Sequence, residues 1–331
     1  MHILKGYTKQ EISWMMYDWA NSAHSVIIVT LLPIFFDTVA GYTADSVSSM
    51  STWGYATSIA MLIVALAAPF LGVFGDIRGM RKKLFSFFML LGVAACAGMA
   101  FTPGMDFTSG PVAAGKVASL ILVLYIVSVI GFDASAIYYD AFLTDVTIED
   151  RMDKVSTMGY GLGYIGGSTI PLLIFLIMNL VGVPMLTCLA FVFGLTAVWW
   201  LAFSLPLLKN CEQTSGKPYE KGDVARSIKG VGTTIKEIIA NKPMLIYILS
   251  YFFYIDGVHT VISMATTYGT NLGLDSTGMM LALLLVQILG LPFCLLYIKC
   301  SEKFGARTMV GFGICVYMFI CIFAFFINSL W

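Results

Sequence analysis

Three polar side chains interrupt the first long apolar stretch of the chain. Residues 16–27 read MYDWANSAHSVI, so an aspartate, an asparagine and a histidine enter a segment otherwise suited to lipid. Ionisable groups inside a membrane are costly, and most of them mark a solute or ion pathway. At 100° per residue the polar residues fall within an arc of about 160°. They are Asp18, Asn21, Ser22, His24 and Ser25. This face should therefore point away from lipid.

Two later apolar segments also carry acids or histidines. Asp133 and Asp140 are seven residues apart, which places them on one helix face and roughly 10.5 Å apart along its axis. A third segment carries Asp256, His259 and Thr260. Carboxylates and imidazoles can bind a polar solute and carry protons. The predicted path for solute and protons comprises Asn21, His24, Ser25, Asp133, Asp256, His259 and Thr260. The alternative is a set of interhelical hydrogen bonds that only hold the bundle together.

The overall composition indicates the class of fold that positions these polar groups. The 331 residues are 59% hydrophobic and 11% charged, with a mean hydropathy of +0.86. Soluble domains contain about 25% charged residues. The chain is therefore predicted to be an all-α, multi-pass membrane protein. Nine segments are long enough to cross the hydrocarbon core. They are residues 13–36, 50–74, 84–103, 117–143, 156–180, 183–208, 244–269, 277–298 and 309–328.

The basic residues orient these segments. When alternate loops are counted, 18 of the 19 Lys and Arg fall on one side of the membrane, and only Lys116 falls on the other. Cytoplasmic loops carry the excess of positive charge. The N-terminus is therefore predicted to be cytoplasmic.

A long polar loop divides the chain into six segments and three. The predicted organisation is a six-helix bundle at 1–208, a cytoplasmic linker at 209–243 and a three-span bundle at 244–331. Within the linker, apolar residues recur at helical spacing, with basic residues off that stripe. The apolar residues are Val224, Ile228, Val231, Ile235, Ile238 and Ile239, and the basic ones are Arg226, Lys229 and Lys236. This pattern is typical of an amphipathic helix on the membrane surface. It serves either as a tether or as a regulatory element.

Two pairs of short strings repeat six segments apart. HSVI at 24–27 matches HTVI at 259–262, and DIRGMR at 76–81 matches EKFGAR at 302–307. Both pairs relate segments of the same orientation, as a parallel repeat of six-helix units predicts.

Several strings resemble the major facilitator superfamily. They are YDWANSA at 17–23, GVFGDIRGMRKK at 72–83, YDAFL at 139–143 and the glycine-rich 156–167. The narrower resemblance is to bacterial transporters of unassigned substrate and autophagy-related vacuolar amino-acid effluxers. It implies two six-helix bundles around a central cavity that opens alternately to either side. Because the superfamily has twelve spans, it also implies a second bundle truncated after about nine spans in total.

The resemblance also implies roles for particular residues. The superfamily cavity is lined by the first, fourth and seventh spans, which are the spans that carry the groups described above. In the 72–83 loop, Ile77 and Met80 stand where the superfamily usually has basic residues. A loop network that holds one conformation and releases it in another would act as a gate. The predicted gating residues are Asp18, Asp140, Gly72, Asp76, Gly79, Arg81, Glu302, Gly305 and Arg307.

The predicted function is secondary transport of a small polar solute, such as an amino acid, with protons as a candidate coupling ion. We expect a bacterial plasma membrane, with a vacuolar membrane as the alternative. One competing interpretation is a non-transporting fragment or scaffold. Another is an intramembrane aspartyl enzyme built on Asp18 and Asp140, but the accompanying Gly-x-Gly-Asp motif is absent. Apart from the solute, protons and lipid, we expect no cofactor, no metal and no nucleic-acid partner.

Overall fold

The computed structural model describes residues 4–43, 49–216, 218, 223–272, 274 and 276–327. The fold is all-α, as predicted. Its helices are α1 Lys9–Ala40, α2 Ser49–Gly75, α3 Arg81–Met99, α4 Pro111–Val146, α5 Glu149–Leu162, α6 Ile170–Leu180, α7 Met185–Asn210, α8 Asp223–Ala240, α9 Lys242–Asn271, α10 Ser276–Phe304 and α11 Ala306–Ala324. A π-helical segment, Gly163–Thr169, joins α5 to α6.

Within those described residues, nine helices are long and apolar enough to cross a membrane, with α5, the π segment and α6 counting as one. This number agrees with the sequence prediction. The first helix nevertheless begins four residues before the predicted start at residue 13. The cause is a capping box, in which the Thr8 side chain accepts a hydrogen bond from the Glu11 amide (3.1 Å) and the Glu11 carboxylate accepts one from the Thr8 amide (2.7 Å). The capping box therefore places the start of the helix before the residue at which the apolar segment begins.

The chain divides into two compact units, Met1–Lys221 and Gly222–Trp331, called unit 1 and unit 2 below. The division falls inside the predicted linker, whose limits stay a prediction. In unit 1, α1 packs against α4, α5, the π segment and α7, while α3 packs along α4.

Glycines allow the closest helix contacts in unit 1. A Cβ atom built on Gly167 would lie 2.6 Å from the Trp19 carbonyl oxygen, and one on Gly163 would lie 2.5 Å from the Ser22 hydroxyl. Both glycines face α1, so α1 approaches the π segment more closely than any side chain would permit. Gly163 and Gly167 of the fifth span therefore serve in close helix packing.

Unit 2 contains α8 and the three membrane-length helices α9 to α11. Tyr268 on α9 donates a hydrogen bond to the Ala324 carbonyl oxygen on α11 (2.9 Å). Helix α8 forms where the amphipathic pattern predicts it, and Ile235 and Ile239 on it are exposed. The side chains of Val224, Arg226, Ile228 and Lys229 lie outside the described part. Contact of α8 with lipid stays a prediction.

Candidate solute pathway

The polar face of α1 is buried inside unit 1. Asp18 is 7% exposed, Asn21 8% and His24 2%. Ser22 and Ser25, on the same face, are half-buried. As expected, the most polar groups of the segment do not lie on the outer surface of the unit. They lie where α1 meets α4, α7 and the π segment.

His24 lies in an aromatic enclosure. Its ring stacks on Phe132 of α4 at a centroid distance of 4.8 Å and packs at an angle against Trp200 of α7 at 5.2 Å. Its Nε2 atom is 3.2 Å from the Ser128 hydroxyl. Its Nδ1 atom is buried and has no hydrogen-bond partner among the described residues. An unpaired buried polar atom costs about 1–3 kcal/mol, so this nitrogen is an unusual group to leave in a packed helix interface.

Asp18 joins α1 to α4 nearer the N-terminal end of α1, six residues before His24. The Tyr139 hydroxyl donates a hydrogen bond to its Oδ2 atom (2.8 Å). Trp14 stacks on the Tyr139 ring at 4.3 Å and donates its indole N–H to the Tyr139 carbonyl oxygen (2.8 Å). Gly159 of α5 packs against the Asp18 carboxylate. These contacts of Asp18 lie within unit 1, and its gating role stays a prediction.

Tyr17 connects the Asp18 and His24 levels. Its hydroxyl lies 2.7 Å from the Ser135 hydroxyl and accepts a hydrogen bond from the Trp200 indole (3.3 Å). Trp200 also packs against His24. Tyr17, Asp18 and His24 therefore make a continuous row of polar and aromatic contacts along α1 between α4 and α7, called the seam below. Tyr17, Ser135 and Trp200 were not among the predicted site residues.

The two α4 aspartates have different surroundings, although the sequence places them on one face. Asp133 is half-buried, and its Oδ2 atom is buried without a hydrogen-bond partner in the described part of the chain. Asp140 is exposed. Asp133 follows Phe132, which stacks on His24. Asp133, like His24, thus has a buried polar atom without a hydrogen-bond partner among the described residues.

The predicted residues of α9 lie in unit 2. Asp256, His259 and Thr260 are exposed there. The structure brings together the α1 and α4 residues, all within unit 1. Participation of the α9 residues in the same path stays a prediction.

The two repeated loops share a backbone feature. Gly79 and Gly305 both have φ +82°, a left-handed conformation that favours glycine. Each glycine lies just before a helix, α3 or α11. The loop repeat inferred from the sequence thus extends to backbone geometry. The predicted gating residues Gly72, Asp76, Glu302 and Arg307 lie at or near these loops; Gly72 is half-buried and the other three are exposed.

Arg81 is the buried member of the first loop, at 4% exposure. It donates hydrogen bonds to the Ala141 carbonyl oxygen (2.9 Å) and to the Asp145 carboxylate, both at the end of α4. Its guanidinium lies over the Phe142 ring (5.7 Å), while the exposed Asp76 is 3.8 Å away. The main carboxylate partner of Arg81 is therefore Asp145, which the sequence did not single out.

A second ion pair, in which the Glu11 carboxylate is buried and Arg151 is half-buried, ties the start of α1 to α5. Glu11 is 1% exposed and accepts hydrogen bonds from Arg151 Nε (2.9 Å), Arg151 Nη2 (2.8 Å) and the Thr147 hydroxyl (2.7 Å). The T-x-x-E string at Thr8–Glu11 could have identified Glu11 as a helix cap. No local signal indicated its pairing with Arg151, which lies 140 residues later.

The chain offers no metal centre among the residues that the structure describes: no three of its His, Cys, Asp and Glu side chains cluster there. The seven cysteines are free thiols. Cys211, just after α7, donates to the Gln10 carbonyl oxygen (3.6 Å). Burial raises the pKa of its thiol to about 12, so it is a packing group and not a reactive one.

Comparisons with known proteins agree with this architecture. The family model described as vacuole effluxer Atg22 like matches residues 39–150 and 144–330. The MFS-type transporter YxiO of Bacillus subtilis is 39% identical over 335 residues, which cover 99% of this chain and 76% of that protein. Autophagy-related protein 22-1 of Penicillium rubens is 24% identical over 188 residues, covering 53% of this chain and 32% of that protein.

A solved structure shows the same fold. The xylose transporter XylE from E. coli, in an inward open conformation, matches with a TM-score of 0.50 and 15% identity, covering 89% of this chain and 68% of that one. The named relatives are transporters and effluxers, which supports the prediction that the chain is not an enzyme. The chain belongs to the Atg22-like vacuole effluxer family, within the major facilitator superfamily.

Proposed function

We propose that this multi-pass membrane protein is a secondary transporter that moves a small polar solute, such as an amino acid, by alternating access. The observation that carries the proposal is the buried polar face of α1 in a member of an effluxer family. A helix that only packed would pair its buried polar atoms, whereas His24 Nδ1 has no partner among the described residues. A solute with donor and acceptor groups would satisfy it.

Proton coupling is the finer part of the proposal. His24 and Asp133 lie on neighbouring helices, and each has an unpaired buried polar atom in the described part of the chain. Imidazole and carboxylate groups inside a membrane are typical proton carriers. We propose that Asp256, His259 and Thr260 of α9, which repeat the first helix in sequence, complete the path.

The distribution of charge supports a cytoplasmic N-terminus, because 18 of the 19 Lys and Arg fall on one side of the predicted topology. The similarity to a Bacillus subtilis protein supports a bacterial plasma membrane. The similarity to fungal autophagy-related proteins supports a vacuolar membrane as the alternative.

The test is uptake of a labelled amino-acid panel by vesicles that contain the purified full chain, with and without an imposed pH gradient. We expect uptake that depends on the gradient and falls at least about tenfold in His24→Ala and Asp256→Asn. Asp153→Asn, at an exposed position of α5, is the matched control and should transport normally. Wild-type uptake in both test variants would contradict the assigned path. Uptake indifferent to pH would remove proton coupling. No uptake of any solute would favour the scaffold interpretation.

A further inference from the structure

Within unit 2, helix α8 is joined to a membrane-length helix through a single residue. Helix α8 ends at Ala240 and α9 begins at Lys242. Asn241 serves both ends, because its amide donates to the Glu237 carbonyl oxygen (3.0 Å) and its side-chain Oδ1 atom accepts from the Met244 amide (3.2 Å). Asn241 therefore closes α8 and caps α9. Since α9 is apolar enough to cross a membrane from Lys242 onward, the end of α8 must lie at the lipid surface.

One face of α8 is apolar and partly uncovered close to this junction. Val231, Ile235, Ile238 and Ile239 fall within an arc of about 100° around the helix, called the α8 stripe below. The Ile235 and Ile239 side chains are 48% and 60% exposed. A helix that stood out into water would leave these two side chains in water. A helix that lies flat on the lipid next to α9 would bury them, which the hydrophobic effect favours.

Basic residues accompany the α8 stripe. Residues 217–242 contain six Lys or Arg and three Asp or Glu. Lys236 lies about 100° around the helix from Ile235, at the edge of the stripe, and its side chain is exposed, as is that of Lys242. A lysine at such an edge keeps its methylene groups against apolar surface while its ammonium reaches the head groups. A basic cluster of this size beside a membrane-spanning helix is typical of binding to anionic lipids.

We infer that α8 is an anionic-lipid-binding helix. Its apolar stripe lies in the leaflet at which α9 begins, and Lys236 and Lys242 bind the phosphates of negatively charged head groups. The occupant is lipid because Asn241 fixes the end of α8 at the membrane surface, and because the charge of the segment complements an anionic surface. Lipid contact of this kind is independent of solute movement, since it needs only α8, the start of α9 and the bilayer.

The test is amide hydrogen exchange of α8 in the full chain, held in nanodiscs of phosphatidylcholine alone or with one quarter of the lipid replaced by phosphatidylglycerol. Residues 230–240 should exchange at least about tenfold more slowly in the anionic discs, because each lysine near the surface strengthens attachment about fivefold. High salt should remove most of this difference, since it screens exposed charges. Peptides from α4 should exchange equally in both discs and report that the fold is unchanged.

Two neighbouring substitutions separate charge from helix structure. Lys236→Gln removes a positive charge at the edge of the stripe, so the difference between the two lipids should fall about fivefold. Glu237→Gln alters the adjacent exposed residue in the same way but removes a negative charge, so the difference should persist or grow. An equal loss in both variants would show damage to the helix instead of a lost phosphate contact, and would overturn the inference.

A second pair of variants tests the apolar stripe. Ile235→Asn should make α8 exchange at least about tenfold faster in both lipids, because a large apolar group no longer enters the leaflet. Thr233→Asn is the matched control, since Thr233 is exposed on the opposite side of α8, and it should exchange like the wild type. If the two variants behaved alike, the stripe would have no role in attachment.

Three further results would each contradict lipid binding of this kind. Slow exchange that is equal in the two lipids would make α8 an apolar anchor with no preference for anionic head groups. Protection found only in discs that hold two copies of the chain would assign the stripe to a second copy. Fast exchange in both lipids would show that α8 does not lie on the membrane.

Discussion

Unit 1 has two polar layers that treat buried charge differently. At the start of α1 and the end of α4, both oxygens of the Glu11 and Asp145 carboxylates are bonded, each to an arginine and to hydroxyl or amide donors. In the seam beside α1, His24 Nδ1 and Asp133 Oδ2 have no partner among the described residues. In the first layer every carboxylate oxygen is bonded, and the buried atom there without a partner in the described part of the chain is the Arg81 Nε atom. In the second layer the unpaired atoms belong to the imidazole and the carboxylate themselves, so these two groups keep capacity for further hydrogen bonds, as a solute path needs.

Removing a partner from the first layer should give the largest loss of stability. Asp145→Ala leaves the buried Arg81 guanidinium without its main carboxylate and releases Thr214 and Ser215. Breaking a buried ion pair on one side costs about 3–5 kcal/mol. Denaturant unfolding of the full chain in detergent measures the change. Asp76→Ala is the control, because that carboxylate is exposed and 3.8 Å from Arg81, and it should cost under about 1 kcal/mol. Equal effects in the two variants would contradict the assignment of Asp145 as the main carboxylate partner of Arg81.

The packing of α1 against the π segment should give the next largest effect. In Gly167→Ala the new methyl group would meet the Trp19 carbonyl oxygen at 2.6 Å, so helices must move apart at a cost of about 1–3 kcal/mol. Gly115→Ala on α4 is the matched control, since its Cβ would meet nothing within 4 Å. There alanine should stabilise the helix by up to about 1 kcal/mol. The thermal unfolding midpoints of the two variants should shift in opposite directions, and a common direction would refute this account.

Different kinds of residue were predictable to different degrees. Hydropathy is a local property, so the nine long helices were predictable, and so was the burial of the α1 polar face. Gly79 and Gly305 were recognisable because a repeated turn demands the same backbone conformation in both copies. Asp145 was not recognisable. Its partner Arg81 lies far away in sequence, and nothing in its own neighbourhood distinguishes it from an ordinary polar loop residue.

The same limit applies to the seam. His24 was identifiable as a costly group in an apolar segment, but its enclosure by Phe132 and Trp200 depends on how α4 and α7 pack around α1. Spacing placed Asp133 and Asp140 on one helix face, yet one is half-buried and the other exposed. Helical periodicity predicts which residues share a face, and only tertiary packing determines what covers that face.

The smallest effect on stability should come from a substitution of His24 in the seam. His24→Phe keeps a flat ring between Phe132 and Trp200 and removes the unpaired nitrogen, while losing the contact with the Ser128 hydroxyl. The lost hydrogen bond and the removed unpaired atom oppose each other, so the free energy of unfolding should change by less than about 1 kcal/mol. Solute uptake should nevertheless fall at least about tenfold, because the imidazole is gone. A variant that loses uptake but keeps its stability would identify His24 as a residue of the solute path. A large loss of stability with normal uptake would instead give His24 the structural role of Glu11 and Asp145.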